Sequence, residues 1–428
     1  VQSKLAPSSD SPYAVLRNRN FLPYVIGRFV ASFGQQMLTV AVGWELYERT
    51  RSALYLGLVG LTQFVPMVLM TLPAGHVADT RERKRVIVSM LAVVGTASAG
   101  LAAISMARIE VGWVFACLVA SGIARTFLWS ASASFLPLLV SREEFPRALT
   151  WATSSFQFSA VAGPAAGGAI IAMTNSAVPV YIANAVAVFI CLGLVLMVRI
   201  KQQIAPKQEF SWRSIMGGFH FVFSNRIISG AITLDLFAVL FGGATALLPQ
   251  YAKEILHVGP QGLGLLQAAL PVGSLACALH MAHRPPMQKA GRSLIFAVAL
   301  FGAATIAFGL SRSFWFSMVM LFICGFADNI SVIVRHTLVQ LLTPDEMRGR
   351  VSAVNNLFIG TSNELGGFES GIVSQYLGPV FSVVSGGIAT IITVAAVAGF
   401  WPEIRKFGRL VQEEPVQEPV REANAEVP

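Results

Sequence analysis

GHVADTRERKR, residues 75–85, places one glycine, two acids and four basic side chains between two long apolar runs, in a connection too short to be a domain. The runs on either side, about 54–74 and 86–106, are each long enough for a helix to cross a hydrocarbon layer of about 30 Å, which takes roughly 20 residues. A tight charged joint between two such helices predicts a membrane hairpin. Stretches of the same character recur at about 21–44, 113–139, 148–173, 177–198, 227–251, 262–282, 293–311, 314–342, 351–375 and 378–401. The prediction is an all-α membrane protein with twelve transmembrane helices. Composition agrees: 54% of the 428 residues are hydrophobic and 12% charged, where a soluble globule carries roughly a quarter charged residues.

Lysine and arginine set the orientation, because translocating them is disfavoured. About 23 of the 31 fall in the termini and the even-to-odd connections, about 5 in the odd-to-even ones, and Arg28, Arg125 and Arg335 inside spans. Both termini are therefore expected in the cytoplasm. The net charge of +9 is spread over many short loops, which argues against a nucleic-acid footprint. The first apolar stretch exceeds a signal-peptide core and lacks a small-residue cleavage site, so it is expected to stay as a span. Cys117, Cys191, Cys277 and Cys324 all lie in spans and read as small apolar packers.

The longest polar connection, 199–226, divides six spans from six. Its end is aromatic and amphipathic, with Phe210, Trp212, Phe219, Phe221 and Phe223 beside Arg213 and His220, and predicts a short interfacial helix. The expected organisation is a cytoplasmic segment 1–20, a six-helix bundle 21–198, this linker, a second bundle 227–401, and an acidic, Pro-rich disordered tail 402–428. An offset of 203 residues superposes Gly122 on Gly325, Glu143 on Glu346, Arg147 on Arg350, Gly163 on Gly366 and Gly168 on Gly371. Two parallel repeats imply an axis along the membrane normal and a transport site between the halves near the midplane.

Ionisable groups inside spans are costly and point to function. They are Arg28, Arg125, Asp235, Asp328, Arg335, Glu364 and Glu369. At 1.5 Å per residue, Arg125, Asp328 and Glu364 lie about 20 Å from the cytoplasmic helix ends, and Asp235 and Arg335 about 10–14 Å. Arg125 and Asp328 are also repeat equivalents. Asp235 is expected to pair with Arg335 within the second half, whereas Arg125 and Asp328 either pair across the halves or remain two separate, hydrated intrahelical or cavity-lining charges. Arg28 either lines the cavity or snorkels to the interface. Asn355, Asn356, Asn363 and Gln267 either line a cavity or bridge helices. In GPAAGG, residues 163–168, Gly163, Gly167 and Gly168 permit close helix contact, and Pro164 removes a backbone donor and bends the helix.

Gly75, Asp79, Arg83 and Lys84 resemble the G-x-x-x-D-R-x-G-R-R/K loop signature of the major facilitator superfamily, with Thr80 and Glu82 departing from it. GPAAGG resembles the G-P-x-x-G-G run of that superfamily's proton-coupled exporters, although Ser159 replaces an earlier glycine. The resemblance also implies an arginine followed by a glycine-rich run in span 4. Arg125 fits, whereas Trp129 and Ser130 do not. The segments 342–371 and 235–252 look like the branch that contains the enterobactin exporter and related small-molecule efflux proteins, and the likeness covers essentially the whole chain.

The resemblance implies a proton-antiport exporter of amphipathic, siderophore-like or drug-like small molecules, working as a monomer in a bacterial inner membrane. Its partners would be substrate, protons and the bilayer, with no cofactor and no nucleic acid. Asp79 is expected to meet the amino end of span 11 near Gly349 and Arg350 when the cytoplasmic side is shut. An uptake symporter and a transport-inactive membrane receptor stand as alternatives. No G-x-x-x-x-G-K-[ST] phosphate loop occurs, which excludes a self-contained ATP-driven pump, and the six histidines show no metal-ligand spacing. The chain is not expected to be an enzyme.

Overall fold

The computed structural model describes residues 13–200, 212–285 and 287–408. The start of the N-terminal segment, linker residues 201–211 with Phe210, and the tail beyond residue 408 lie outside these, as do the side chains of Trp212 and Arg213. Among the described residues there is no strand, and twelve long helices carry the fold. They are α1 (Phe21–Thr50), α2 (Ala53–Thr80), α3 (Arg83–Met106), α4 (Gly112–Phe135), α5 (Phe145–Thr174) and α6 (Val178–Met197), followed by α7 (Arg226–Ile255), α8 (Gly259–Ala282), α9 (Ala290–Leu310), α10 (Phe314–Leu342), α11 (Arg348–Leu377) and α12 (Pro379–Phe400).

Eleven of these are long and apolar enough to cross a bilayer; α11 is the exception. It carries Asn355, Asn356, Asn363, Glu364 and Glu369, which lower its hydropathy. It is nonetheless 30 residues long and packed among the other helices. Polar side chains at membrane depth are tolerated where neighbouring helices or a cavity shield them from lipid.

The opening stretch is more helical than a loop. Helix α2 continues to Thr80 and α3 begins at Arg83, leaving a turn of extended backbone at Arg81 and Glu82. Helix α7 is the irregular span. Its α-helical part, Arg226–Phe241, passes into a 3-10 turn at Gly243–Leu247 and a π turn at Tyr251–Ile255. The change follows Gly242 and Gly243, where a side chain at Gly243 would collide with the Gly366 backbone of α11.

Contacts repeat between the halves. In the first bundle α1 packs on α5 and α6, α3 on α4 and α6, and α2 on α4; in the second α7 packs on α11 and α12, α9 on α10 and α12, and α8 on α10. The glycines that superpose in sequence occupy equivalent contacts. Gly122 lies against α2 and Gly325 against α8; Gly163 lies against α1 and Gly366 against α7. In lipid, where apolar burial cannot drive helices together, such small-residue contacts let backbones approach. The linker helix Trp212–Ser224 docks on the second bundle rather than lying free: Val222 is buried with Ile228, Val351 and Val354, and the Phe219 ring lies tilted against that of Phe358, their centres 6.1 Å apart.

Candidate functional site

Two seams join the bundles, α5 with α8 and α2 with α11. Both are tight toward the end of the molecule opposite the termini. On the first seam Gly168 meets Gly264 and the Pro260 carbonyl; on the second Gly57 meets Gly371. Polar contacts cap this end. Tyr47 of α1 donates to Glu254 of α7, and Lys253 pairs with Glu48. Ser374 donates to Gln250 at 2.8 Å, and Ser52 to Gln375 at 2.7 Å. Sequence reading missed these residues because each stands at a span end, where polar side chains are ordinary.

Toward the termini the bundles part. The Met67 side chain still reaches Gly360, yet Gly75 at the end of α2 and Gly349 at the start of α11 face open space. A central cavity of about 410 Å³ lies beneath the closed end, and a continuing lobe of about 560 Å³ extends to Thr71 and Ala353. The molecule is therefore open on the face that carries the basic connections and shut on the other.

Arg125 of α4 and Glu364 of α11 line both cavities, one from each bundle. Arg125 donates to Gln63 of α2 at 2.9 Å, and the opposite charges of Arg125 and Glu364 act on each other. Gln35, Gln36, Gln267 and Asn363 add amide groups around them. One cation, one carboxylate and several amides at the seam of two bundles can bind a polar group, exchange a proton, and feel a change in the relative position of the halves. Gln63 was not singled out from sequence; a lone amide in an apolar span was its available signal.

Of the two readings left open for Arg125 and Asp328, the structure favours separate charges: they do not pair. Asp328 lies inside the second bundle, in a small pocket with Asp235, Ala238, Phe301 and Ser331. Sequence equivalence does not bring the two together, because the symmetry axis carries Arg125 and Asp328 to corresponding places in different bundles. The expected pair is present: Arg335 contacts Asp235, with 2% and 5% of the two residues exposed. Arg28 is exposed, its guanidinium 6.0 Å from the Tyr24 ring centre. Asn356 and Asn363 are exposed, the former in the open lobe and the latter in the central cavity, while Asn355 is buried in the bundle.

The basic residues of the opening stretch act on helix ends. Lys84 donates to the Leu196 and Val198 carbonyls at 2.9 and 2.7 Å, at the C-terminal end of α6, and Arg83 reaches the Ala78 and Ser134 carbonyls of α2 and α4. Cations at carbonyl ends satisfy unpaired acceptors and oppose the helix dipole. Asp79 is exposed beside the open mouth. In α5, Gly163 and Gly167 face α1 while Gly168 faces α8; a Cβ at Gly163 would fall 2.6 Å from that of Gln36. Pro164 is buried, and its carbonyl is what a Cβ on Gly264 would strike.

Comparison with known proteins agrees with this architecture. The family model of the Major Facilitator Superfamily matches residues 24–367. The enterobactin exporter EntS of Citrobacter koseri is 25% identical over 395 residues, covering 90% of this chain and 93% of the exporter, and that of Escherichia coli O1:K1 is 24% identical over 393 residues, with coverage of 90% and 93%. Among solved structures, a POT family transporter in complex with 5-aminolevulinic acid superposes with a TM-score of 0.72 at 11% identity, over 90% of this chain and 97% of its own. A bacterial homologue of the human lysosomal transporter Spinster, in an inward-facing and occupied conformation, gives 0.70 at 14% identity, over 93% and 98%. With two six-helix bundles, a cavity at their seam and a family model matching most of its length, this multi-pass membrane protein belongs to the major facilitator superfamily and is a transporter rather than an enzyme.

Proposed function

We propose that the protein exports amphipathic small molecules, siderophore-like or drug-like, from the cytoplasm by proton antiport and alternating access, acting as a monomer in a bacterial inner membrane. The basic face is then cytoplasmic, and the conformation described above is open inward. The observation that carries the reading is the presence of Arg125 and Glu364 in one cavity from opposite bundles. When Glu364 is ionised it offsets Arg125 and accepts hydrogen bonds from a substrate. When it is protonated it loses most of that acceptor strength and leaves the arginine uncompensated. A substrate that donates to the carboxylate therefore competes with the proton, which is the condition for antiport. Withdrawal from water sharpens the competition, since an ionised carboxylate loses far more hydration than a neutral acid and so depends on a proton or a donor partner.

The export direction is supported by the GPAAGG run of α5 and by the two exporter relatives. Deleting the protein should raise the cellular content of its substrate and the sensitivity of the cell to it. Gly163→Leu should reproduce that phenotype, because overfilling a close helix contact costs about 1–3 kcal/mol and here forces α5 from α1. Accumulation assays with a labelled compound check both. A deletion strain that holds less of a transported compound overturns export in favour of uptake symport.

A further inference from the structure

Trp129 is where α4 departs from the small residues that its resemblance implied after Arg125. It is 75% exposed and lines the open lobe of the cavity. The position is set by helix geometry. Gly122, Arg125, Thr126 and Trp129 share one face of α4 through their three- and four-residue spacings, and all four line the lobe. Trp129 thus stands about 6 Å, roughly one helical turn, from Arg125 toward the open mouth. Met67 of α2 and Leu357 of α11 line the same lobe. Above them lie Arg125, held by Gln63 at 2.9 Å, and Glu364.

A tryptophan that only filled space would be expected to bury its indole, since aromatic rings contribute to packing through the 150–250 Å² they remove from water. Here the ring is left open in a cavity whose far end is polar. A flat apolar surface in the same lobe as a carboxylate matches a ligand with a planar ring at one end and hydrogen-bond donors at the other. An aliphatic chain would fill the same space but gain nothing from the ring's preference for offset stacking.

We propose that Trp129 is a stacking platform that selects planar aromatic compounds whose polar end donates hydrogen bonds to Glu364. This deepens the reading of the cavity as the transport site and rests on it. The test is equilibrium binding to the purified full chain in lipid nanodiscs with two amine probes, ethidium and dodecylamine, the first planar and aromatic and the second aliphatic. Trp129→Ala should weaken ethidium binding about tenfold, which equals about 1.4 kcal/mol, and leave dodecylamine within about twofold. Trp129→Phe should restore most of the ethidium affinity, and Glu364→Gln should weaken both probes. Because Trp129 is exposed, both tryptophan variants should keep the wild-type melting temperature. If Trp129→Ala leaves ethidium binding unchanged while Glu364→Gln weakens it, the stacking role is overturned and the cavity reading survives. Equal loss of both probes in Trp129→Ala, without rescue by Phe, makes the residue a structural or gating element and also overturns it. Ethidium that fails to bind the wild-type protein refutes the aromatic class. Ethidium that binds without regard to Glu364 or Arg125 refutes the cavity itself.

Discussion

The two charged pairs sit in opposite surroundings. Asp235 and Arg335 are sealed inside one bundle, whereas Arg125 and Glu364 line a cavity between two. In the proposed alternating access the sealed pair moves as a unit when the halves rock, so the motion cannot change its geometry. The cavity pair has one member on each half, so the same motion alters its separation and its access to water. Opposite charges within a span therefore have two different uses, and what separates them is whether the pair crosses the seam. The glycines of α5 divide in the same way: Gly163 and Gly167 hold α5 to α1 within a bundle, and Gly168 meets α8 across the seam.

The sharpest way to break this contrast is to remove one member of the sealed pair. Asp235→Ala leaves Arg335 as an uncompensated buried charge and should cost about 3–5 kcal/mol of stability, seen as a collapse of the monodisperse peak in detergent and of the thermal melt. Replacing both Asp235 and Arg335 with leucine should recover the folded yield. A fully stable single variant would mean that the pair is not the anchor its burial implies.

The cavity pair should respond in function rather than in folding. Glu364→Gln keeps the side chain's shape, so the protein should purify and melt as wild type, while substrate-driven proton movement in proteoliposomes falls to the level of protein-free vesicles and passive substrate exchange persists. Asp328→Asn supplies the control, since Asp328 lies in the second bundle away from the cavity pair. Coupling that survives in both single variants and in the double variant discards both acids as proton carriers.

The smallest expected effect belongs to Asp79, which belongs to neither pair and is exposed on the open face. Its partner is expected only after the mouth closes, at the amino end of α11 near Gly349 and Arg350. There a helix dipole and free N–H groups stabilise an anion by roughly 0.3–1 kcal/mol. Asp79→Asn should slow turnover about two- to fivefold, the change such an energy implies at 1.4 kcal/mol per decade, without loss of folded protein. Export at the wild-type rate would remove the gating role.

Much of this was legible from residue order alone. The spans, their number and the equivalence of Gly122 with Gly325 or Gly163 with Gly366 follow from local apolarity and from repetition, which need no knowledge of what touches what. The Asp235–Arg335 pair was also accessible, because its members lie at a common depth in the same half. Whether Arg125 meets Asp328 stayed open for the opposite reason. Repeat equivalence relates positions within each half and says nothing about which of them meet, and Arg125 in fact shares its cavity with Glu364 and donates its hydrogen bond to Gln63.

The sequence by itself determined that this chain crosses a membrane about twelve times, that it does so as two related halves, and that a few charges lie deep within it. Each rests on the cost of placing polar groups in lipid, a cost read one segment at a time. Only the tertiary structure decided which end is shut, that Tyr47, Glu48, Lys253 and Glu254 close it, and that Trp129 lines the open lobe of the cavity. A helix face carries the same residues whether it meets lipid, a neighbouring helix or a water-filled space. Its surroundings are settled only when all twelve helices pack together.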